Sequence, residues 1–77
     1  MTLKDLKPGD YCVVAGIGQH DPALLSRVMS LGIIPGCKLQ LLRRAPLGDP
    51  MQVKVGSSLV SIRRADSALI EVDQIAV

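Results

Sequence analysis

Short stretches of alternating apolar and polar residues run through this chain, and Pro and Gly punctuate them. In Tyr11 to Ile17, residues Tyr11, Val13, Ala15 and Ile17 fall on one face and Cys12 and Val14 on the other. Both faces are largely apolar, which predicts a central strand. The period then changes. Asp21-Pro22 supplies a cap and a first helical position. Leu24, Val28 and Leu31 follow at helical spacing and are the expected buried stripe. Leu25 and Met29 make a second apolar row, while Ser26, Arg27 and Ser30 complete the outer face. Gly32 is the expected helix stop, because glycine takes positive φ without a Cβ clash. Ile33 and Ile34 are expected to pack, and Pro35-Gly36 fits a type II turn into the next strand.

That strand, Cys37 to Arg44, places Cys37, Leu39 and Leu41 opposite Lys38, Gln40 and Leu42. Ala45-Pro46-Leu47-Gly48-Asp49-Pro50 ends it. A third strand follows, with Met51, Val53 and Val55 inward, then a hairpin at Gly56-Ser57-Ser58 and a fourth strand, Leu59 to Arg63. A turn over Arg64 to Ala68 leads to a last strand from Leu69 to Val72, extending toward Val77. At the start, Thr2 is expected to cap one helical turn that directs Leu3 and Leu6 inward. Five short, sequential antiparallel strands with one helix between the first and second close most economically as a small barrel.

Composition narrows the function. The 77 residues make one domain, 1–77, with Tyr11 as the only aromatic. No apolar run approaches the ~20 residues of a membrane span, and no leader pattern opens the chain. A cytoplasmic protein with reduced Cys12 and Cys37 is therefore expected. The net charge of +2 is far below a nucleic-acid footprint. One aromatic cannot build a base-stacking platform, so no nucleic acid is expected as partner. A single His, isolated turn glycines and no nucleophile beside a base argue against an enzyme. Cys12, His20, Cys37, Glu71 and Asp73 lack paired ligand spacing, so neither a metal site nor a cofactor is expected.

Taken in order, Leu6-Lys7-Pro8-Gly9, Leu31-Gly32-Ile33-Ile34-Pro35-Gly36, Ala45 to Pro50, Ile62-Arg63-Arg64 and Ala68-Leu69-Ile70-Glu71-Val72 span nearly the whole chain. This ordered set resembles the FeoA family, small cytoplasmic partners of the bacterial ferrous iron transporter FeoB. The resemblance implies an SH3-like five-stranded barrel with a short helix inserted between strands 1 and 2. It implies a non-enzymatic accessory role in ferrous iron uptake. The implied partner is the cytosolic region of FeoB, including its GTP-binding domain, with membrane contact only through that partner. The same module also occurs as the C-terminal domain of iron-dependent metalloregulators, so a metal-responsive regulatory module is the alternative.

Two surface features exceed what folding requires. Leu25 and Met29 widen the apolar face of the helix. Arg43-Arg44 ends the second strand and Arg63-Arg64 the fourth. With the third strand between them, the two ends share one rim about 10 Å apart. The four arginines would then stand beside an exposed Leu47. Leu25, Met29, Arg43, Arg44, Leu47, Arg63 and Arg64 are the expected partner-binding residues.

Overall fold

The computed structural model describes residues 1–18 and 22–76. A 3-10 turn, Leu3–Asp5, is followed by β1 (Tyr11–Ile17), α1 (Pro22–Ser30), β2 (Lys38–Arg44), β3 (Met51–Val55) and β4 (Ser58–Ile62). A single-turn helix, α2 (Arg64–Ser67), and β5 (Ile70–Ile75) complete the order. Asp21, expected as the cap of α1, and His20 lie outside the described residues, as does Val77.

All strand pairs are antiparallel, in the order β4-β3-β2-β1-β5. β1 has a neighbour on each side, as its two apolar faces require. Its inward residues are Cys12 and Val14, both buried. They meet Leu39 and Leu41 of β2, Met51 and Val53 of β3, Ile62 of β4, and Ile70 and Val72 of β5 in one core. Residues of both edge strands belong to that single cluster, so the sheet curls around it. Leu24, Val28 and Ile33 cover the core from the α1 side, and Leu3 and Leu6 from the N-terminal side. The N-terminal turn is held by Asp5, whose carboxylate accepts from the Thr2 backbone N–H at 2.9 Å. That hydrogen bond favours the ionised form and lowers the Asp5 pKa.

The end of α1 corrects two expectations. Leu31 is 39% exposed rather than buried, and Ile34 is 46% exposed rather than packed. The helix ends at Ser30, one residue before Leu31. The Gly32 N–H donates to the Met29 carbonyl at 3.0 Å and the Ile33 N–H to the Val28 carbonyl at 3.3 Å. This is a Schellman termination with Gly32 at φ +88°. Leu31 is the last residue before the chain reverses and swings outward. Ile33 then folds back under the final turn and occupies the core position expected of Leu31.

A second departure lies in β2. Leu41 pairs with Val53 but Arg43 pairs with Gln52, so Leu42 is a bulge residue. A bulge exchanges the faces of everything beyond it. Simple alternation from Leu39 and Leu41 would turn Arg43 inward and Arg44 outward. The bulge does the reverse: Arg44 pairs with buried Met51, and Arg43 with half-buried Gln52.

Both cysteines are free thiols, Cys12 buried and Cys37 half-buried. Burial, with Cys37 nearby, pushes the Cys12 thiol up to about 11. A raised thiol pKa means the folded state holds its proton more tightly than the unfolded state. This contribution is complete below the unfolded value near 9 and is lost as pH rises toward 11. Urea midpoints are therefore expected to fall from pH 8.5 to 10.5, and Cys12→Ala should flatten that slope. An unchanged slope in Cys12→Ala would assign the alkaline loss to other groups.

Candidate functional site

Two clusters of exposed residues stand out on the described surface. The first is at the end of α1. Leu24 and Val28 turn into the core, which leaves the Leu25 and Met29 row facing outward. Leu25 is half-buried and Met29 is 46% exposed. The Schellman reversal adds Leu31 and Ile34, so three exposed large apolar residues follow one another within six positions. Sequence reasoning placed Leu31 and Ile34 inside. The signal that could have moved them is Gly32 itself. A glycine after the helix end makes the preceding residue the cap and the following one the packing contact.

The second cluster is the rim at the ends of β2 and β4. These strands flank β3 and run parallel to each other, as the hairpin order requires. The loop between β2 and β3 is closed by the Ala45 N–H donating to the Pro50 carbonyl at 3.0 Å and the Gly48 N–H to the Ala45 carbonyl at 2.7 Å. The Asp49-Pro50 peptide is cis. These bonds leave Leu47 at the loop tip, 92% exposed. Asp49 accepts from the Arg64 backbone N–H at 3.0 Å, which ties the loop to the end of β4. Leu47, Arg63 and Arg64 are thereby brought to one edge of the molecule. A groove of about 200 Å³ opens beside them, lined by Arg43, Arg44, Ala45, Pro46, Pro50 and Gln52.

The four arginines do different work. Arg43 donates from Nε to Gln52 Oε1 at 2.8 Å and remains exposed. Arg63 and Arg64 are exposed, with no carboxylate within ion-pair distance among the described residues. Arg44 instead follows the bulge inward. Its guanidinium donates to the Lys4 carbonyl at 2.7 Å and the Leu6 carbonyl at 2.5 Å. Arg44 thus latches the N-terminal turn to the sheet while also lining the groove. Of the basic residues near the rim, Arg27 of α1 is neutralised by Asp66 of α2 at 3.0 Å.

The chemistry available is recognition. Exposed guanidinium groups beside an apolar loop tip suit a surface bearing carboxylates or phosphates around an apolar pocket. Among the described residues, no three His, Cys, Asp or Glu side chains come together to hold a metal ion. No described helix is long and apolar enough to cross a membrane.

Against this geometry, known proteins give a consistent picture. The FeoA domain family pattern matches residues 1–74. A Porphyromonas gingivalis protein, the Fe(2+) transport protein A/Fe(2+) transporter FeoB fusion protein, is 32% identical over 76 residues. That alignment takes in 99% of this chain and 9% of the relative, so the chain spans a small part of that protein's length. Among solved structures, the FeoA protein of Chlorobium tepidum is similar at 41% identity and a TM-score of 0.91. The match covers 99% of this chain and 71% of that one. The zinc-complexed FeoA of Stenotrophomonas maltophilia, described as a procaryotic SH3 domain protein, is similar at 26% identity and a TM-score of 0.82. There the coverage is 95% of this chain and 89% of that one. A manganese-dependent transcriptional repressor in complex with manganese carries a similar module at 26% identity and a TM-score of 0.91. It is matched by 97% of this chain over 36% of its own length. The fold is therefore the SH3-like one of its neighbours, mostly β with an inserted helix.

Proposed function

Since this chain belongs to the FeoA family, associated with ferrous iron transport, we propose that it is a non-enzymatic accessory protein that binds the cytosolic side of a FeoB-type transporter, including its GTP-binding domain. The observation that carries this reading is the Porphyromonas gingivalis fusion, in which a segment similar to 99% of this chain is joined to FeoB in one polypeptide. Covalent joining keeps the two at high effective concentration.

The two exposed clusters are the contact residues under this reading. Leu25, Met29 and Leu47 provide apolar anchors, which set the dissociation rate. Arg43, Arg63 and Arg64 steer association and confer salt sensitivity. Binding to the isolated transporter cytosolic domain tests it. Leu25→Ala, Met29→Ala and Leu47→Ala are expected to speed dissociation while circular dichroism stays that of the wild type. Arg43→Glu and Arg63→Glu should slow association most at low salt. Wild-type binding in all five variants would reject these surfaces. No binding by the wild type to any cytosolic region would reject the partner.

The similarity to a manganese-dependent repressor supports a second reading, a metal-responsive module. Titration separates the two: tight, stoichiometric ferrous or zinc binding by this chain alone favours the second.

A further inference from the structure

The outer face of the sheet carries a pattern that neither cluster uses. The register aligns Ile75, Tyr11, Gln40, Lys54 and Leu59 in one row across all five strands. The next row aligns Asp73, Val13 and Lys38 across β5, β1 and β2. Both bulges lie outside these rows, at Val14/Gly16 and at Leu41/Arg43, so the rows are regular. Tyr11 and Val13 on β1 are half-buried, while Asp73 and Lys38 on either side are exposed. The face is thus apolar along its midline, acidic on one side and basic on the other.

Among the described residues, neither flanking charge has an ion-pair partner. The two ion pairs among the described residues are Met1 with Glu71 and Arg27 with Asp66. Lys38 stands over the Tyr11 ring at 5.3 Å, a contact that keeps the ammonium above the face without neutralising it. Asp73 and Lys38 are each one strand from Val13, about 4.8 Å to either side. This spacing sets their backbones about 10 Å apart across the face, and the two side chains form no ion pair with each other.

We infer that this face pairs with the same face of a second copy of the chain, about a two-fold axis running along β1. Such an axis exchanges left and right across β1 and leaves height along the strand unchanged. Because Asp73, Val13 and Lys38 share one row, the operation sets Lys38 of each copy opposite Asp73 of the other. Val13 meets Val13 and Tyr11 meets Tyr11 on the axis. An isologous contact needs this self-complementarity, and both oppositely charged pairs form at once. A peptide of one charge would be attracted by one half of the face and repelled by the other, so the second copy is the better fit. The patch spans three strands and two rows, a small contact, and the association is correspondingly weak.

Sedimentation equilibrium of the full chain, from micromolar to millimolar concentration, tests this. The wild type should dimerise reversibly, and more weakly at high salt. Lys38→Asp and Asp73→Lys each set like charges opposite one another twice, and should weaken the dimer about tenfold or more. The double exchange K38D/D73K restores both pairs and should recover most of the loss. A wild type that stays monomeric throughout overturns the inference. So do single variants that dimerise normally, or a double variant no better than the singles. Circular dichroism confirms that each variant is folded. A monomer that instead binds an acidic peptide through Lys38 and Lys54 would assign the face to that partner and count against the dimer.

Discussion

Leu41→Ala is expected to lower the unfolding free energy by about 2–5 kcal/mol. Leu41 is fully buried at the centre of β2, the middle strand of the sheet. Its side chain sits in the cluster that unites both edges of the sheet. The backbone around it is also committed: its carbonyl accepts from the Gly9 N–H at 2.7 Å, and its N–H donates to the Asp10 carbonyl at 3.0 Å. These bonds hold the strand in place and restrict collapse around a truncated side chain, which favours the upper part of the range. Domain stabilities run near 0.05–0.15 kcal/mol per residue, or about 4–12 kcal/mol for a chain of this size. The substitution therefore removes a large share of the total. Urea unfolding should show a much lower midpoint with an unchanged slope. Leu42→Ala, one position along at the half-buried bulge, should cost clearly less. Equal losses at the two positions would show that the bulge, and with it the assignment of inner and outer faces, is misplaced.

Arg44→Ala should cost about 2 kcal/mol, whereas Arg43→Ala should stay within about 0.5 kcal/mol. The two residues are adjacent and chemically identical, and only the bulge distinguishes them. Arg44 bonds the carbonyls of Lys4 and Leu6 and so fastens the segment that seats Leu3 and Leu6 in the core. Its loss leaves the part-buried Leu6 carbonyl without this donor and loosens two core side chains. Arg43 loses one exposed bond to Gln52. Arg44→Lys should recover only part of the loss, because an ammonium does not reproduce the planar fork. Chemical unfolding of the three variants decides the matter. A larger cost at Arg43 than at Arg44 would remove the latch. Transporter binding should show the reverse order, with Arg43 the more sensitive position.

The chain's element order was legible because turns and period changes mark it. Gly32 and Pro35-Gly36 bracket the passage from helix to strand, and Pro46 to Pro50 separates β2 from β3. The inward Met51 and Val53 of β3 follow from period-two alternation, whereas both faces of β1 are apolar and only the fold turns Cys12 and Val14 inward. The candidate site was legible only in part. Leu47 was readable as exposed, since a loop tip bounded by Pro and Gly has no neighbours to cover it. The shared rim at the ends of β2 and β4 followed from hairpin order alone.

What the sequence by itself determined is therefore local: where strands begin and end, where the helix stops, and which alternating positions are apolar enough to demand burial. These follow from φ preferences and side-chain period, which each residue carries with it. What only the tertiary structure decided depends on the backbone's path through space. The Schellman reversal put Ile33 in the core and Leu31 on the surface, since the packing of the last helical turn selects between them. The bulge at Leu42 turned Arg44 into a latch and left Arg43 to the solvent, because one unpaired residue exchanges the two faces of a strand. The cross-strand rows that set Asp73 and Lys38 on either side of Val13 exist only once three strands from distant parts of the chain are in register.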